Sequence, residues 1–349
     1  MNRHLNSETI DRILQAAPKC AIGVLGDMFL DRYLEIDRAL DEPSVETGRT
    51  AYQVTRVRSH PGAAGTVVAN LAALGVGRII PFAFLGDDGE GYELRAALAA
   101  TAGVDSTGLV ACAQRRTPTY TKPMHRHLGC EPVEDHRLDI KNRQPTPAWV
   151  IDAIAERVEC LLPELDALLV LDQVSEADCG VVTEAMRGRI ERWTRQRPDL
   201  FVIGDSRELI HAMAGMALKP NRAECRAALR SRGVNPPEAS ETMAALLAQT
   251  VGCAVFLTVG EQGMVVATPD GALAIAPAFS VSGPTDPVGA GDSTSAGLLL
   301  AHAAGVSPAQ AAEFGCLIAS ITVTQIGVTG TATPSQVREA WRHHSEESD

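Results

Sequence analysis

Thr285-Asp286-Pro287-Val288-Gly289-Ala290-Gly291-Asp292 runs straight into the small, apolar segment from Ser293 to Ala304. A glycine loop that opens a helix exposes unpaired backbone N–H groups at the positive end of the helix dipole, and these favour an anion, most often a phosphate. Gly289 and Gly291 let the backbone approach that anion closely. An acid beside a phosphate site is repelled by it, so Asp292 needs a reason for its position. If a phosphoryl group is transferred there, the carboxylate can take the proton of the attacking hydroxyl while the N–H groups stabilise the transferred charge. The same run also reads as a tight turn whose acid merely suits the helix dipole, so the rest of the chain has to decide.

The chain has 349 residues, 45% of them hydrophobic, enough for one large core with a small appendage. A formal charge of −12 argues against nucleic acid or an anionic membrane surface as partner and leaves a small molecule as the expected ligand. Eight scattered cysteines without a Cys-x-x-Cys pair fit reduced thiols, and with them a cytoplasmic location. Residues 1–18 read as a helix rather than a leader, and no apolar run reaches membrane-spanning length.

Short apolar runs at 21–25, 79–85, 167–171, 200–203 and 253–259 read as buried strands. Helical patterns fall at 67–74, 92–101, 148–162, 176–197, 222–230, 241–250, 293–304 and 308–325. Strands that alternate with helices predict an α/β fold with a mostly parallel central sheet covered on both faces, its ligands at the carboxyl ends of the strands. Residues 35–59 and 112–139 break the rhythm with polar, period-two stretches, and predict a few antiparallel strands standing off the main sheet as a lid. Edge strands of such a lid invite pairing across a homodimer. The tail from His343 is expected to fray.

Four further segments carry chemistry. In Lys219-Pro220-Asn221-Arg222-Ala223-Glu224, Asn followed three residues later by Glu is a capping-box pattern, and the same oxygens suit phosphate-bound Mg²⁺ and its waters. Thr258-Val259-Gly260-Glu261-Gln262-Gly263 ends a strand in a glycine turn, either a plain hairpin or the border of a nucleotide pocket. Asp27 and Asp31 lie beyond the first strand, where carboxylates can hold sugar hydroxyls or simply face water. Pro61-Gly62-Ala63-Ala64-Gly65-Thr66 offers a second set of helix N-terminal donors. His125, His127 and His136 lack an acid or cysteine at ligand spacing and read as lid charges rather than a metal site.

In this order and spacing the segments from Gly26 to Pro334 resemble the ribokinase-like sugar kinases of the phosphofructokinase-B family. Asp286-Pro287-Val288-Gly289-Ala290-Gly291-Asp292 is similar to that family's Asp-Thr-x-Gly-Ala-Gly-Asp signature. Within the family, Gly26-Asp27-x-x-Leu30-Asp31-Arg32-Tyr33, Gly86-Asp87-Asp88 and Thr117-Pro118-Thr119 look most like heptose-7-phosphate kinases. The resemblance implies a single three-layer α/β/α domain over residues 1–349 with a small β lid, ATP and Mg²⁺ as cosubstrates, and a sugar or sugar phosphate as acceptor. It implies Asp292 as base, Gly289, Ala290 and Gly291 as anion hole, Asn221 and Glu224 around Mg²⁺ through water, and Thr258, Gly260 and Gly263 beside the nucleotide. Asp27, Asp31, Gly62 and Thr66 fall at the sugar, and Asp286 with the Val288 carbonyl at a monovalent cation, K⁺ in some members.

The departures gather on the acceptor side. Gly62-Ala63 stands for the usual Gly-Gly, and Thr66 for the Asn that contacts sugar. Asp172-Gln173-Val174-Ser175-Glu176 replaces Asp-Tyr-x-Lys-Gly and lacks its lysine, and Asp41-Glu42-Pro43-Ser44-Val45 replaces Ser-Pro-Glu-Ala-Pro. Two other readings therefore stay open: a binding regulator on the same fold that does no chemistry, and a kinase of the same fold acting on a nucleoside or vitamin-like alcohol.

Overall fold

The computed structural model describes residues 4–126, 132–327 and 329–346. The chain begins with α1 (Ser7–Ala16), β1 (Ala21–Gly26), β2 (Met28–Asp37), β3 (Glu42–Pro43), β4 (Thr50–Ala51), β5 (Val54–Ala63) and α2 (Ala64–Ala73). It continues through β6 (Arg78–Gly86), α3 (Gly89–Ala99), β7 (Leu109–Cys112), β8 (Thr119–Arg126), β9 (Val133–Glu134), β10 (Leu138–Ile140) and α4 (Ala148–Leu161). Then come β11 (Ala167–Asp172), α5 (Glu184–Gln196), β12 (Phe201–Ser206), β13 (Ala217–Leu218), α6 (Arg222–Ser231) and α7 (Ser240–Val251). The last elements are β14 (Val255–Thr258), β15 (Met264–Ala267), β16 (Leu273–Ala276), α8 (Ala290–Ala303), α9 (Pro308–Thr322) and α10 (Pro334–Glu346).

Nine strands form one sheet in the order β16-β15-β14-β13-β12-β11-β1-β6-β7. From β14 through β7 every neighbour is parallel, and β15 and β16 add an antiparallel edge. All six residues of β11 are buried, as a strand covered on both faces requires. One helix group packs α2, α9 and α1 around α8, which runs against β11 and β12; another pairs α4 with α5 and α6 with α7. Parallel strands all end on one side, so the loops after β1, β11, β12, β13 and β14 gather along a single edge.

The lid is a second sheet in the order β10-β8-β2-β5, with β9 beside β8. It differs from the expected antiparallel arrangement, because β2 and β8 run parallel. It also starts earlier than residue 35: β2 leaves β1 after Asp27 alone, which makes Asp31 a lid residue. At the lid's root Met28 pairs with Ala63, and the Ala64 N–H donates to the Asp27 carbonyl at 3.0 Å.

Helices α2, α3 and α8 each begin three residues before the apolar period shows them, because their first turns are Ala64-Gly65-Thr66, Gly89-Glu90-Gly91 and Ala290-Gly291-Asp292. The helix expected from Glu176 starts instead at Glu184, where Thr183 caps it. Residues ahead of it stay irregular because their backbone groups bond to distant side chains: Gln173 and Val181 to Asp27, Cys179 to Arg115, and Gly180 to Thr146. Of the tail expected to fray, residues 343–346 belong to α10, where Trp341 packs edge-on to Phe279 at 6.2 Å, and residues 347–349 lie outside the described residues. No helix among the described residues is long and apolar enough to cross a membrane. The seven cysteines within the described residues are free thiols, and Cys130 lies outside them.

Candidate active site

Gly289 is the N-cap of α8, at φ 81° and ψ −2°, a left-handed conformation that favours glycine. The Ala290 N–H donates back to the Pro287 carbonyl at 3.1 Å, so of the first-turn donors expected to form the anion hole those of Gly291 and Asp292 remain at the helix end. The Gly289 Cα face lies against Thr66 of α2: a Cβ there would be 3.8 Å from the Thr66 methyl and 2.9 Å from that of Thr329. The amino ends of α2 and α8 thus meet at one place, and Lys219 reaches the same place from the end of β13. Its ammonium is 3.7 Å from where a Gly291 Cβ would stand.

Lys219 is buried and pairs with Asp205 at 2.7 Å. Burial works against its charge, but the Asp205 carboxylate more than offsets that and holds the ammonium above the ordinary lysine range. The half-buried Asp292 faces the same group. Burial first, and then the negative charge of Asp205, push its acid up to about 7, against the opposing pull of Lys219 and Arg207. Asp31 adds to the rise from the lid side. The Glu224 acid is also raised, by burial and then by Asp205 beyond its bond to Asn221.

Asn221 and Glu224 realise the capping box: Asn221 Oδ1 accepts from the N–H groups of Ala223 and Glu224 at 2.9 and 3.0 Å, and the Asn221 N–H donates to Glu224 at 2.7 Å. The Asn221 oxygen expected near Mg²⁺ is therefore engaged by the helix, and its NH₂ is the group left to face a ligand. Thr258, at the end of β14, bridges to Asn221, and its N–H donates to the Pro220 carbonyl at 2.9 Å. Gly260 and Gly263 form the tight turn from β14 into β15, both at positive φ.

Asp31 projects from β2 with its carboxylate against Gly62, where a Cβ would stand 2.8 Å from Cγ. Lys122 is 3.6 Å away and also donates to the Tyr33 hydroxyl at 3.1 Å. Burial raises the Asp31 acid, and Lys122 pulls it back. Asp27 is differently placed. It is buried, and its two oxygens accept from the N–H groups of Gln173 at 3.0 Å and Val181 at 2.8 Å. Its carboxylate therefore holds the chain together where a free hydroxyl acceptor was expected. Next to it, Asp172 takes a hydrogen bond from Ser206 at 2.8 Å, and burial, followed by the Asp27 charge, pushes its acid up to about 7.

The Asp286 N–H donates to the Val323 carbonyl at 2.8 Å, and its Oδ1 accepts from the Val288 N–H at 3.0 Å. Among the described residues no cluster of three or more His, Cys, Asp or Glu side chains is set to hold a metal ion. His125 contacts Asp135 at 3.3 Å and Arg38 at 3.3 Å, while His127 lies outside the described residues. The groups that the motifs did not reveal are Asp205 and Arg207. Asp205 follows the apolar run of β12 as Asp27 follows β1, and that position at a parallel strand's carboxyl end was the available signal.

A model of the pfkB family of carbohydrate kinases matches residues 195–336. The bifunctional protein HldE of Caulobacter vibrioides is 30% identical over 326 residues, covering 91% of this chain and 64% of that protein. The HldE protein of Geobacter metallireducens is 30% identical over 331 residues, covering 93% and 64%. The chain thus spans less than two thirds of the length of these relatives. Among solved structures, phosphofructokinase-2 of Escherichia coli in complex with potassium superposes with a TM-score of 0.68 at 15% identity, covering 93% of this chain and 99% of that one. Arabidopsis thaliana ribokinase complexed with ribose and ATP gives 0.64 at 16% identity, covering 92% and 98%. These likenesses show the ribokinase-like fold, with its large mostly parallel sheet and small lid sheet. Residues 195–336 thus carry the match to the pfkB family of carbohydrate kinases, within a chain that is similar to the HldE proteins along most of its own length.

Proposed function

We propose that the protein transfers the terminal phosphoryl group of ATP to a hydroxyl of a sugar or sugar phosphate of heptose-phosphate type, with Asp292 as general base. The observation that carries this reading is the meeting, at the start of α8, of a carboxyl group raised to about 7 with a lysine ammonium and an open set of backbone N–H groups. A base poised near neutrality is ionised often enough to work and still basic enough to take a hydroxyl proton. The N–H groups of Gly291 and Asp292, at the helix start that Gly289 turns, are the donors that stabilise charge on the transferred group, and Lys219 adds a full positive charge fixed by Asp205.

Asp31 orients the acceptor from the lid, since Gly62 keeps the space before its carboxylate free of a side chain. Glu224 lies near the charges of Asp205 and Lys219 and, with the Asn221 amide, lines the donor side. The negative charge of Asp205 reaches both Glu224 and Asp292, and Mg²⁺ would be held beside these acids through water and the ATP phosphates rather than by direct ligation; when bound, the ion would draw charge from the phosphates. Thr258, Gly260 and Gly263 border the nucleotide, Thr66 lies beside the anion hole, and Asp286 with the Val288 carbonyl is the place for K⁺. The lid covers the cleft from the side of Asp31, so water is kept from the phosphoryl group.

The test is ADP release over a panel of hexoses, heptoses, their phosphates and nucleosides. Asp292→Asn is expected to lower turnover about 10²–10⁴-fold with ATP binding retained. Near-normal turnover in that variant would remove Asp292 from the reaction, and saturable sugar binding without product would favour the regulator.

A further inference from the structure

The lid leaves the main body after Asp27 and returns to it before Ala64, and its strand β2 lies in the middle, between β8 and β5. One face of β2 carries Phe29 and Asp31 toward the acceptor side of the cleft, where Phe29 and Tyr120, the register partner of Asp31, line a pocket with Gln173 and Ser175. Successive residues of a strand point to opposite faces, so Arg32 and its register partner Ser59 stand on the lid's back. The Arg32–Ser59 pair is the next step of the ladder after Asp31–His60.

Helix α3 of the main body packs against β2 and β5, and its amino end carries three carboxylates that meet the lid. Asp88 caps the helix by accepting from the Gly91 N–H at 2.8 Å, and it takes the Thr117 N–H and hydroxyl at 3.0 and 2.8 Å where the chain enters β8. Glu90 pairs with Arg116 at 2.9 Å. Glu93 binds the lid twice: one oxygen accepts from the Arg32 guanidinium and the other from the Ser59 hydroxyl at 2.6 Å. A single side chain of the main body thus ties the middle strand of the lid to its neighbour β5. Arg32 is five residues beyond Asp27 and Ser59 five before Ala64, which places the tie about 16 Å out along both strands at about 3.3 Å per residue. A sheet held only at its roots tilts about them, and a bond at that distance resists the tilt.

We propose that Glu93 is a positioning residue for the acceptor: from behind the lid it fixes Arg32 and Ser59, and through them how far Asp31, next on β2, reaches into the cleft. The inference rests on the kinase reading, in which Asp31 orients the acceptor, and adds the main-body group that sets where Asp31 stands. Glu93→Gln isolates this role. The amide has nearly the same size and its oxygen keeps the Ser59 hydroxyl, but its NH₂ then faces the Arg32 guanidinium, donor against donor. Asp31→Asn removes the charge through which Glu93 is proposed to act.

The experiment measures ADP release for the wild type, Glu93→Gln, Asp31→Asn and the double variant, with the acceptor that the wild type uses best, beside amide hydrogen exchange of each protein. Glu93→Gln is expected to raise the acceptor KM about fivefold or more and to leave the ATP KM within about twofold. In the Asp31→Asn background the same change should add less than about twofold, because the two residues act as one unit. A merely structural role would raise both KM values, or would multiply with Asp31→Asn, and either result overturns the proposal. So does an acceptor KM within about twofold of wild type in Glu93→Gln. Exchange at β2 and β5 should quicken about fivefold in Glu93→Gln while β11 stays as protected as before. If the wild type turns over no acceptor, the kinase reading fails by itself, and exchange alone decides whether Glu93 holds the lid: unchanged rates at β2 and β5 overturn it.

Discussion

Replacing Gly62 with alanine places one methyl group in front of Asp31. The new Cβ would lie 2.8 Å from Asp31 Cγ and 2.9 and 3.0 Å from its two oxygens, where non-bonded carbon atoms rest at about 3.5–4.0 Å. Gly62 is paired to Phe29 across the lid sheet, so the carboxylate yields before the strand does. Turning the carboxylate away takes it off any hydroxyl it holds and loosens its 3.6 Å contact with Lys122. A hydrogen bond to a charged group contributes about 1.5–3 kcal/mol, so the acceptor KM should rise about 10- to 150-fold, at about 1.4 kcal/mol per tenfold. Stability should change by less than about 1 kcal/mol, because the displaced group is the end of a side chain rather than backbone. Steady-state kinetics with acceptor varied at saturating ATP, and the reverse, read the effect beside a urea melt. An acceptor KM within about twofold of wild type in a well-folded variant would refute the role of Asp31. Equal losses for acceptor and ATP would refute the placement of Gly62 on the acceptor side alone.

Ala63→Gly should stabilise the protein by about 1–2 kcal/mol in urea unfolding, because Ala63 is held at φ 53° and ψ −120°, a region close to glycine-only; an unchanged midpoint would show that the strain is absent in solution. The acceptor kcat/KM should rise with pH through about 7, the raised value of the Asp292 acid, and fall about tenfold per unit well below it. A flat profile from pH 5.5 to 8 would contradict that assignment. Asp172 has its acid raised from 3.8 to about 7, so between those values the folded state holds a proton that the unfolded chain has lost. Stability then falls as pH rises through that window and the penalty is complete above 7, so Asp172→Asn should stabilise by on the order of 2 kcal/mol at pH 8 and by much less at pH 5. Equal gains at both values would rule out titration as the cause.

The fold was legible where residue patterns are local and long. Apolar runs such as Ala167–Asp172 announce buried strands, and the glycine loop at Gly289 announces a helix start, since both depend only on neighbouring residues. Two-residue β13 carries no period at all, yet it is what brings Lys219 to the anion site. The loop before α5 was misread as helix because its polar residues allow one, and the side chains that prevent it, Asp27 and Arg115, come from far along the chain. The parallel pairing of β2 with β8 was equally hidden, because period-two alternation does not tell strand direction. Of the site, the donor half showed in motifs of adjacent residues. The pairing of Asp205 with Lys219 arises only when the ends of β12 and β13 come together.

Asp27 stands where the chain first passes from the main sheet into the lid, and its two ends serve different parts. Its carbonyl receives the Ala64 N–H at the lid's second root, while its carboxylate receives the N–H groups of the loop that walls the acceptor pocket. For protein engineering this makes the loop from Gln173 to Val181 an unsafe unit to exchange by itself. A transplanted loop that does not offer two N–H groups at the same places would leave a buried carboxylate unanswered and unsettle the lid along with the pocket. Redesign of acceptor preference on this scaffold is better confined to side chains that project from the loop, with its backbone and Asp27 kept as one part.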